Sequence, residues 1–150
     1  MINARGPYAD RVLSPDEIAR RSAEAMLEGD RASAGAGVEL VEVAPGRATL
    51  TMTVRPDMVN GHDIAHGGYV FLLADTAFAF ACNTYGPPVV AAGADVSFLA
   101  PVREGQQLVA DAVERVRRGR SGLYDVTVRL DGEPVLEFRG RSRELPGAAT

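Results

Sequence analysis

The chain predicts an α+β fold in which a curved antiparallel sheet wraps one long apolar helix. Three observations carry this. The stretch Tyr69 to Cys82 is built of Ala, Leu and Phe with a single carboxylate, Asp75, and a helix apolar nearly all round must be covered on most sides. From Val38 onward the other apolar segments alternate with a period of two, the mark of half-buried strands. Pro45-Gly46 and Asp131-Gly132 stand between such segments as hairpin turns.

Composition sets the frame. The 150 residues, 46% hydrophobic and 24% charged, make one soluble domain with a proper core. A net charge of −4 leaves no generic basic footprint for nucleic acid. All 16 basic residues are arginine, which suits phosphate better than lysine does. The single cysteine, Cys82, excludes an internal disulfide and fits a reducing compartment. Residues 1–20 are charged throughout, without a signal-peptide pattern, and the longest apolar run is too short and interrupted to span a bilayer. The expected location is cytoplasmic.

In order, residues 1–13 have no clear period. Ser14-Pro15-Asp16-Glu17 supplies an N-cap, a proline at the first helical position and first-turn acids. A helix is expected over Pro15–Glu28, with Ile18, Ala19, Ser22, Ala25 and Met26 on its inner side. Gly29–Gly37 reads as a small-residue loop. Val38–Val43 and Ala48–Val54 form a hairpin, and Arg55–Ala65 a loop of about eleven residues, a length that is often functional. The central helix is expected over Gly67–Thr84, ended by Gly86-Pro87-Pro88. Four strands follow: Val89–Leu99, Gln107–Arg117, Leu123–Leu130 and Pro134–Ser142. This order is a hotdog-type arrangement, with residues 1–33 an N-terminal segment with a short helix, 34–143 the main domain and 144–150 a flexible tail.

The glycine-rich turn before the central helix is the candidate site. A helix starting at Gly67 or Gly68 presents unpaired N–H groups and a positive dipole end, and glycine lets a ligand approach the backbone. That is an anion site or an oxyanion hole, or simply a tight helix start. Asp75 lies eight residues beyond Gly67, about 12 Å along the axis at about 1.5 Å per residue. An oxyanion donor and a base must both come within about 3 Å of one carbonyl group. One copy of the helix cannot supply both, so an enzymatic reading implies two subunits with antiparallel helices at an interface. Otherwise Asp75 is a carboxylate satisfied by Thr76, Asn83 or an arginine. Asn60 can orient a water or a carbonyl, and His66 can hydrogen-bond a carbonyl or cap the helix. His62 and His66 are four apart, but the glycines around them argue against a helical metal pair, and no metal site is expected. No Gly-x-Ser-x-Gly elbow is present for a serine hydrolase. Arg117, Arg118 and Arg120 beside Ser121 and Gly122 suit phosphates, or form a solvated hairpin tip.

The motifs Met58-Val59-Asn60-Gly61-His62, His66-Gly67-Gly68 and Leu73-Ala74-Asp75 continuing to Asn83 resemble the phenylacetic-acid-degradation (PaaI-type) thioesterases of the hotdog superfamily. Asp95 to Pro101, Gly105, Gly122-Leu123-Tyr124-Asp125-Val126 and Phe138-Arg139-Gly140 are similar to the same family's strands. The resemblance covers residues 34–143. It implies hydrolysis of acyl-CoA thioesters, with aryl-acetyl-CoA and its hydroxylated derivatives foremost, and no metal or redox cofactor. It assigns Gly67 to the backbone N–H that polarises the thioester carbonyl and Asp75 of a partner subunit to the nucleophile or general base. Asn60 holds water or substrate, His66 orients the thioester, and Gly68 belongs to the substrate-binding turn. Arg117, Arg118, Arg120 and Ser121 are the candidates for CoA phosphates, the more so because relatives carry Arg or Lys where Ala100 stands before Pro101. The implied assembly is a dimer of dimers with sites at the dimer interface. The rival readings are a hotdog acyl-CoA hydratase or dehydratase, whose Asp/His pair Asp63 and His66 match poorly, and a non-catalytic acyl-CoA sensor, which should lack Asp75.

Overall fold

The structure is a computed structural model, and it describes residues 11–147. Expectations for residues 1–10 and 148–150 lie outside that range. Two helices, α1 (Pro15–Gly29) and α2 (Arg31–Gly35), precede the hairpin β1 (Glu39–Ala44) and β2 (Arg47–Thr53). A 3-10 turn (Pro56–Met58) leads to α3 (Gly67–Cys82), then β3 (Val89–Phe98), β4 (Gln107–Arg118), β5 (Ser121–Leu130) and β6 (Glu133–Glu144). The six strands form one antiparallel sheet in the order β1-β2-β4-β5-β6-β3.

The start of α1 is the expected capping box: Ser14 accepts from the Glu17 N–H at 3.2 Å, and Glu17 accepts from the Ser14 N–H at 2.8 Å. Its inner stripe is Ala19, Ser22, Ala23 and Met26, a spacing that matches one helix face; Ala25, expected inside, is exposed. The loop expected over Gly29–Gly37 contains α2, because Asp30 caps it by accepting from the Ser33 N–H at 2.9 Å and the Ser33 hydroxyl at 2.6 Å. Of the two helices, α1 packs on β1 and α2 on α3.

The helix α3 lies in the concave face of the sheet, against β2, β4 and β5. Small residues face small residues: Ala74, Ala77 and Ala81 on the helix, Ala48, Ala110 and Ala112 on the strands, all buried. Close approach there is balanced by an aromatic cluster toward β6, where the Phe78 ring centroid lies 5.6 Å from both Tyr124 and Phe138. Gly140 makes room for it, since a Cβ at that position would come within 2.8 Å of the Phe78 ring. The helix ends at Cys82, with its apolar run, two residues before the expected end at Thr84. Asn83 takes the chain out of the helix by donating to Ala79 O and Val89 O and accepting from the Val89 N–H. The strand β6 continues to Glu144, two residues past the expected end at Ser142, pairing Arg143 with Ser121 and Val90.

One face of α3 is left uncovered by the sheet. Gly68, Phe71, Leu72, Asp75 and Ala79 fall within an arc of about 100°, and each is exposed or half-buried while the other side of the helix is buried. Beside this face runs β3, an edge strand whose second side has no neighbour among the described residues. No described helix is long and apolar enough to cross a membrane.

Candidate active site

The site begins in the loop between Val59 and His66. It is drawn tight by an isolated bridge between Val59 and Ala65, by the Asn60 N–H donating to Ile64 O, and by the His66 N–H donating to Met58 O. Asp63 turns it with φ 57, a left-handed conformation aspartate tolerates. The β3–β4 connection is bolted to this loop: Ala65 N–H donates to Val102 O at 2.7 Å, and Arg103 Nη1 donates to Asp63 O at 3.4 Å.

Each polar group here has a defined remaining capacity. Asn60 Oδ1 accepts from the His62 N–H at 2.9 Å, which leaves its Nδ2 free to donate. His66 caps α3: its Nδ1 accepts from the Gly68 N–H at 2.9 Å, so the proton of the neutral ring sits on the exposed Nε2. The Tyr69 N–H goes to His66 O. Among the described residues the Gly67 N–H has no acceptor, and Gly67 lines a cavity of about 390 Å³. Asn60, Ile64, Gly67, Val70, Phe98 and Val102 are among its walls, which are otherwise apolar. An unpaired N–H at a helix start in an apolar cleft favours a developing negative charge.

Asp75 does not line this cavity. It sits half-buried on the uncovered face of α3, and burial raises its pKa above the ordinary carboxylate value. None of the partners considered for it is present: Thr76 donates to Leu72 O and meets Ser33, Asn83 is spent on the turn to β3, and no arginine pairs with it among the described residues. The two halves of the predicted machinery are thus separated in one chain, as the helical spacing requires. Burial pushes the neighbouring Cys82 thiol up to about 12, which keeps it protonated and inert at neutral pH.

The arginine cluster does not form as a single patch. A bulge between Glu114 and Val116 shifts the alternation of β4. Arg117 lies with its guanidinium 3.5 Å from the centre of the Tyr85 ring, and Glu114 Oε2 accepts from the hydroxyls of both Tyr85 and Tyr124. Arg118 points to the outer face, into a groove with Val116, Leu123, Arg141 and Arg143. Arg120 donates to Glu144 O, and Ser121, a strand residue instead of a turn residue, accepts from Arg143. All lie toward the Cys82 end of α3, about 22 Å from Gly67 by helical rise. The contribution of Phe98, Ile64 and Val102 to the cavity was not anticipated. The available signal was Phe98-Leu99, two large apolar residues in succession that break the period of β3 before Pro101.

The six-stranded sheet around α3 is the hotdog fold, and the chain belongs to the thioesterase superfamily, whose family model matches residues 62–137. It is 40% identical over 131 residues to the acyl-coenzyme A thioesterase PaaI of Escherichia coli K12, covering 87% of this chain and 94% of that one. The solved structure of the E. coli PaaI protein from the phenylacetic acid degradation operon superimposes with a TM-score of 0.88 at 38% identity, over 91% of this chain and 100% of the other. A mutant of the phenylacetic acid degradation protein PaaI from Thermus thermophilus gives 0.75 at 36%, over 77% and 100%.

Proposed function

We propose that the chain is a homo-oligomeric hydrolase of acyl-CoA thioesters, acting on aryl-acetyl-CoA, phenylacetyl- and hydroxyphenylacetyl-CoA foremost, and related medium acyl-CoAs. The observation that carries this is the complementarity of two unfinished halves. Gly67 offers a free N–H in an apolar cleft with no carboxylate of its own chain, and Asp75 offers an unpaired carboxylate on a helix face with no cleft. Two chains with α3 helices antiparallel, and their free β3 edges brought together, complete both sites.

In this reading the thioester carbonyl accepts from Gly67 N–H, with the dipole of α3 behind it. His66 Nε2–H orients the ester, Asn60 Nδ2 holds the water or the substrate, and Gly68 keeps the turn open to it. Asp75 of the partner subunit either attacks the carbonyl carbon, forming an anhydride that water opens, or takes a proton from water as it attacks. Either course ends in free acid and CoA thiol. The steps use a carboxylate, hydrogen-bond donors and water, and none is assigned to a metal or redox cofactor. Arg117, Arg118, Arg120 and Ser121, placed at the far end of α3, would meet the phosphates of CoA bound at another subunit's site, in a dimer of dimers.

The test is thiol release from short aliphatic, long aliphatic and aryl-acetyl CoA esters. Turnover with the aryl-acetyl esters best is expected. Binding of all of them without release would replace the hydrolase by an acyl-CoA sensor.

A further inference from the structure

Phe98 ends β3 pointing to the same face as Val96, toward α3, yet its side chain is 57% exposed where Val96 is half-buried. A large exposed aromatic on an inward-facing position is left for a ligand or the partner subunit beside β3 to cover. Its ring lies directly against Gly67. A Cβ built at Gly67 would stand 2.9 Å from Phe98 Cε1 and 3.1 Å from Cζ, so only glycine admits the ring where it is. The backbone beneath is held: Phe98 pairs with Leu136, and the N–H groups of Leu99 and Ala100 both donate to Val135 O. The far end of the same connection is tied by Ala65 N–H to Val102 O. The wall therefore moves only by rotation of the ring.

We propose that Phe98 is a specificity-determining residue that sets how much bulk is accepted next to the thioester carbonyl. The inference rests on the thioesterase reading. If the carbonyl oxygen is bound to Gly67 N–H, the ring that fills the space beside Gly67, where a Cβ would stand, is in van der Waals reach of the first carbons of the acyl group. The remaining cavity walls around it (Ile64, Val70, Leu99 and Val102) are apolar and receive the rest of that group. A flat methylene next to the carbonyl passes the ring, whereas a branch at that carbon meets it. The site thus discriminates at the carbon beside the carbonyl, more sharply than at the distal end of the acyl chain.

The experiment compares butanoyl-CoA with 2-methylpropanoyl-CoA, which have equal carbon counts, by kcat/KM in the wild type, Phe98→Ala, Phe98→Leu and Phe98→Trp. A misplaced methyl in a fitted pocket is worth about 10-fold or more. The wild type should prefer the unbranched ester, the ratio should fall about 10-fold in Phe98→Ala, fall less in Phe98→Leu and rise in Phe98→Trp. A ratio unchanged across the series, with all variants weakened equally on both esters, overturns the role given to Phe98 while leaving the hydrolase reading intact. A wild type that releases thiol from neither these esters nor the aryl-acetyl ones overturns that reading, and the inference with it.

Discussion

His66 and Gly68 are joined through Nδ1 and the backbone N–H at 2.9 Å, and a Cβ at Gly68 would lie 3.0 Å from that same nitrogen. The first two amides of α3 therefore have different fates. That of Gly68 is spent on the cap, and that of Gly67 has no acceptor among the described residues. Replacing His66 by Ala should cost about 1 kcal/mol in stability through the lost cap, and His66→Asn should restore most of it. Urea midpoints check this. If His66 also orients the thioester, His66→Asn will regain stability without regaining kcat.

Asp75→Asn should lower kcat by about 10²- to 10⁴-fold while CoA-ester binding persists. The fold should respond in the opposite sense. Burial raises the folded-state pKa of Asp75 above its unfolded value, so the folded protein holds that proton more tightly, and the carboxylate destabilises the fold as pH rises through the ordinary carboxylate range. Asp75→Asn should accordingly be more stable than wild type at neutral pH and indistinguishable in acid below that range. The activity of the wild type should rise with pH as Asp75 ionises, with a midpoint above the usual carboxylate value. Thermal melts and rate profiles over the same buffers test both.

Shared sites make a specific demand on mixtures. Asp75→Asn and Gly67→Val, the latter obstructed by the Phe98 ring, should each be inactive alone. A refolded mixture should regain thiol release, because one site of every mixed dimer combines the intact Gly67 of the Asp75→Asn chain with the intact Asp75 of the Gly67→Val chain. Recovery no greater than the sum of the two inactive proteins would defeat the shared-site arrangement.

Ala94→Arg places a cation on the exposed, inward side of the β3 edge, opposite Gly140. It should yield a folded, inactive monomer, read by light scattering and circular dichroism. Gly140→Ala is a control of another kind. Its methyl would enter the Phe78 ring at 2.8 Å, and overpacking of this sort costs about 1–3 kcal/mol without changing assembly.

Sequence periodicity was a good guide wherever one residue decided the local structure. The uniform apolarity of α3 placed it in the sheet's hollow, and the eight-residue gap from Gly67 to Asp75 already separated donor from carboxylate. With one local exception, what stayed hidden depended on atoms brought together from afar. Asp30 capping α2 is a local signal masked by Gly29 and Gly35. The end of α3 at Asn83 needed Val89 as partner. The Phe98–Gly67 contact joins residues from separate elements, and no period in either reveals it. The separate placement of Arg117, Arg118 and Arg120 could not be read from their adjacency in sequence, because strand parity decides which side of a sheet each one faces.

That parity is itself set by one residue. At the β4 bulge Glu114 faces inward beside Tyr124, Val116 faces outward beside Leu123, and Arg115 is the extra unit between them. Everything downstream in the strand takes its side from that insertion: Arg117 lies over Tyr85, and Arg118 reaches the outer groove. Straightening the strand with Arg115 kept in the ladder would exchange the faces of the two arginines, whereas excising Arg115 would leave each downstream residue opposite its present partner and on its present side. The distribution of positive charge between the two surfaces of the sheet is thus kept by the bulge, which absorbs the extra residue, and homologues that lack both the residue and the bulge would present their arginines on the same faces.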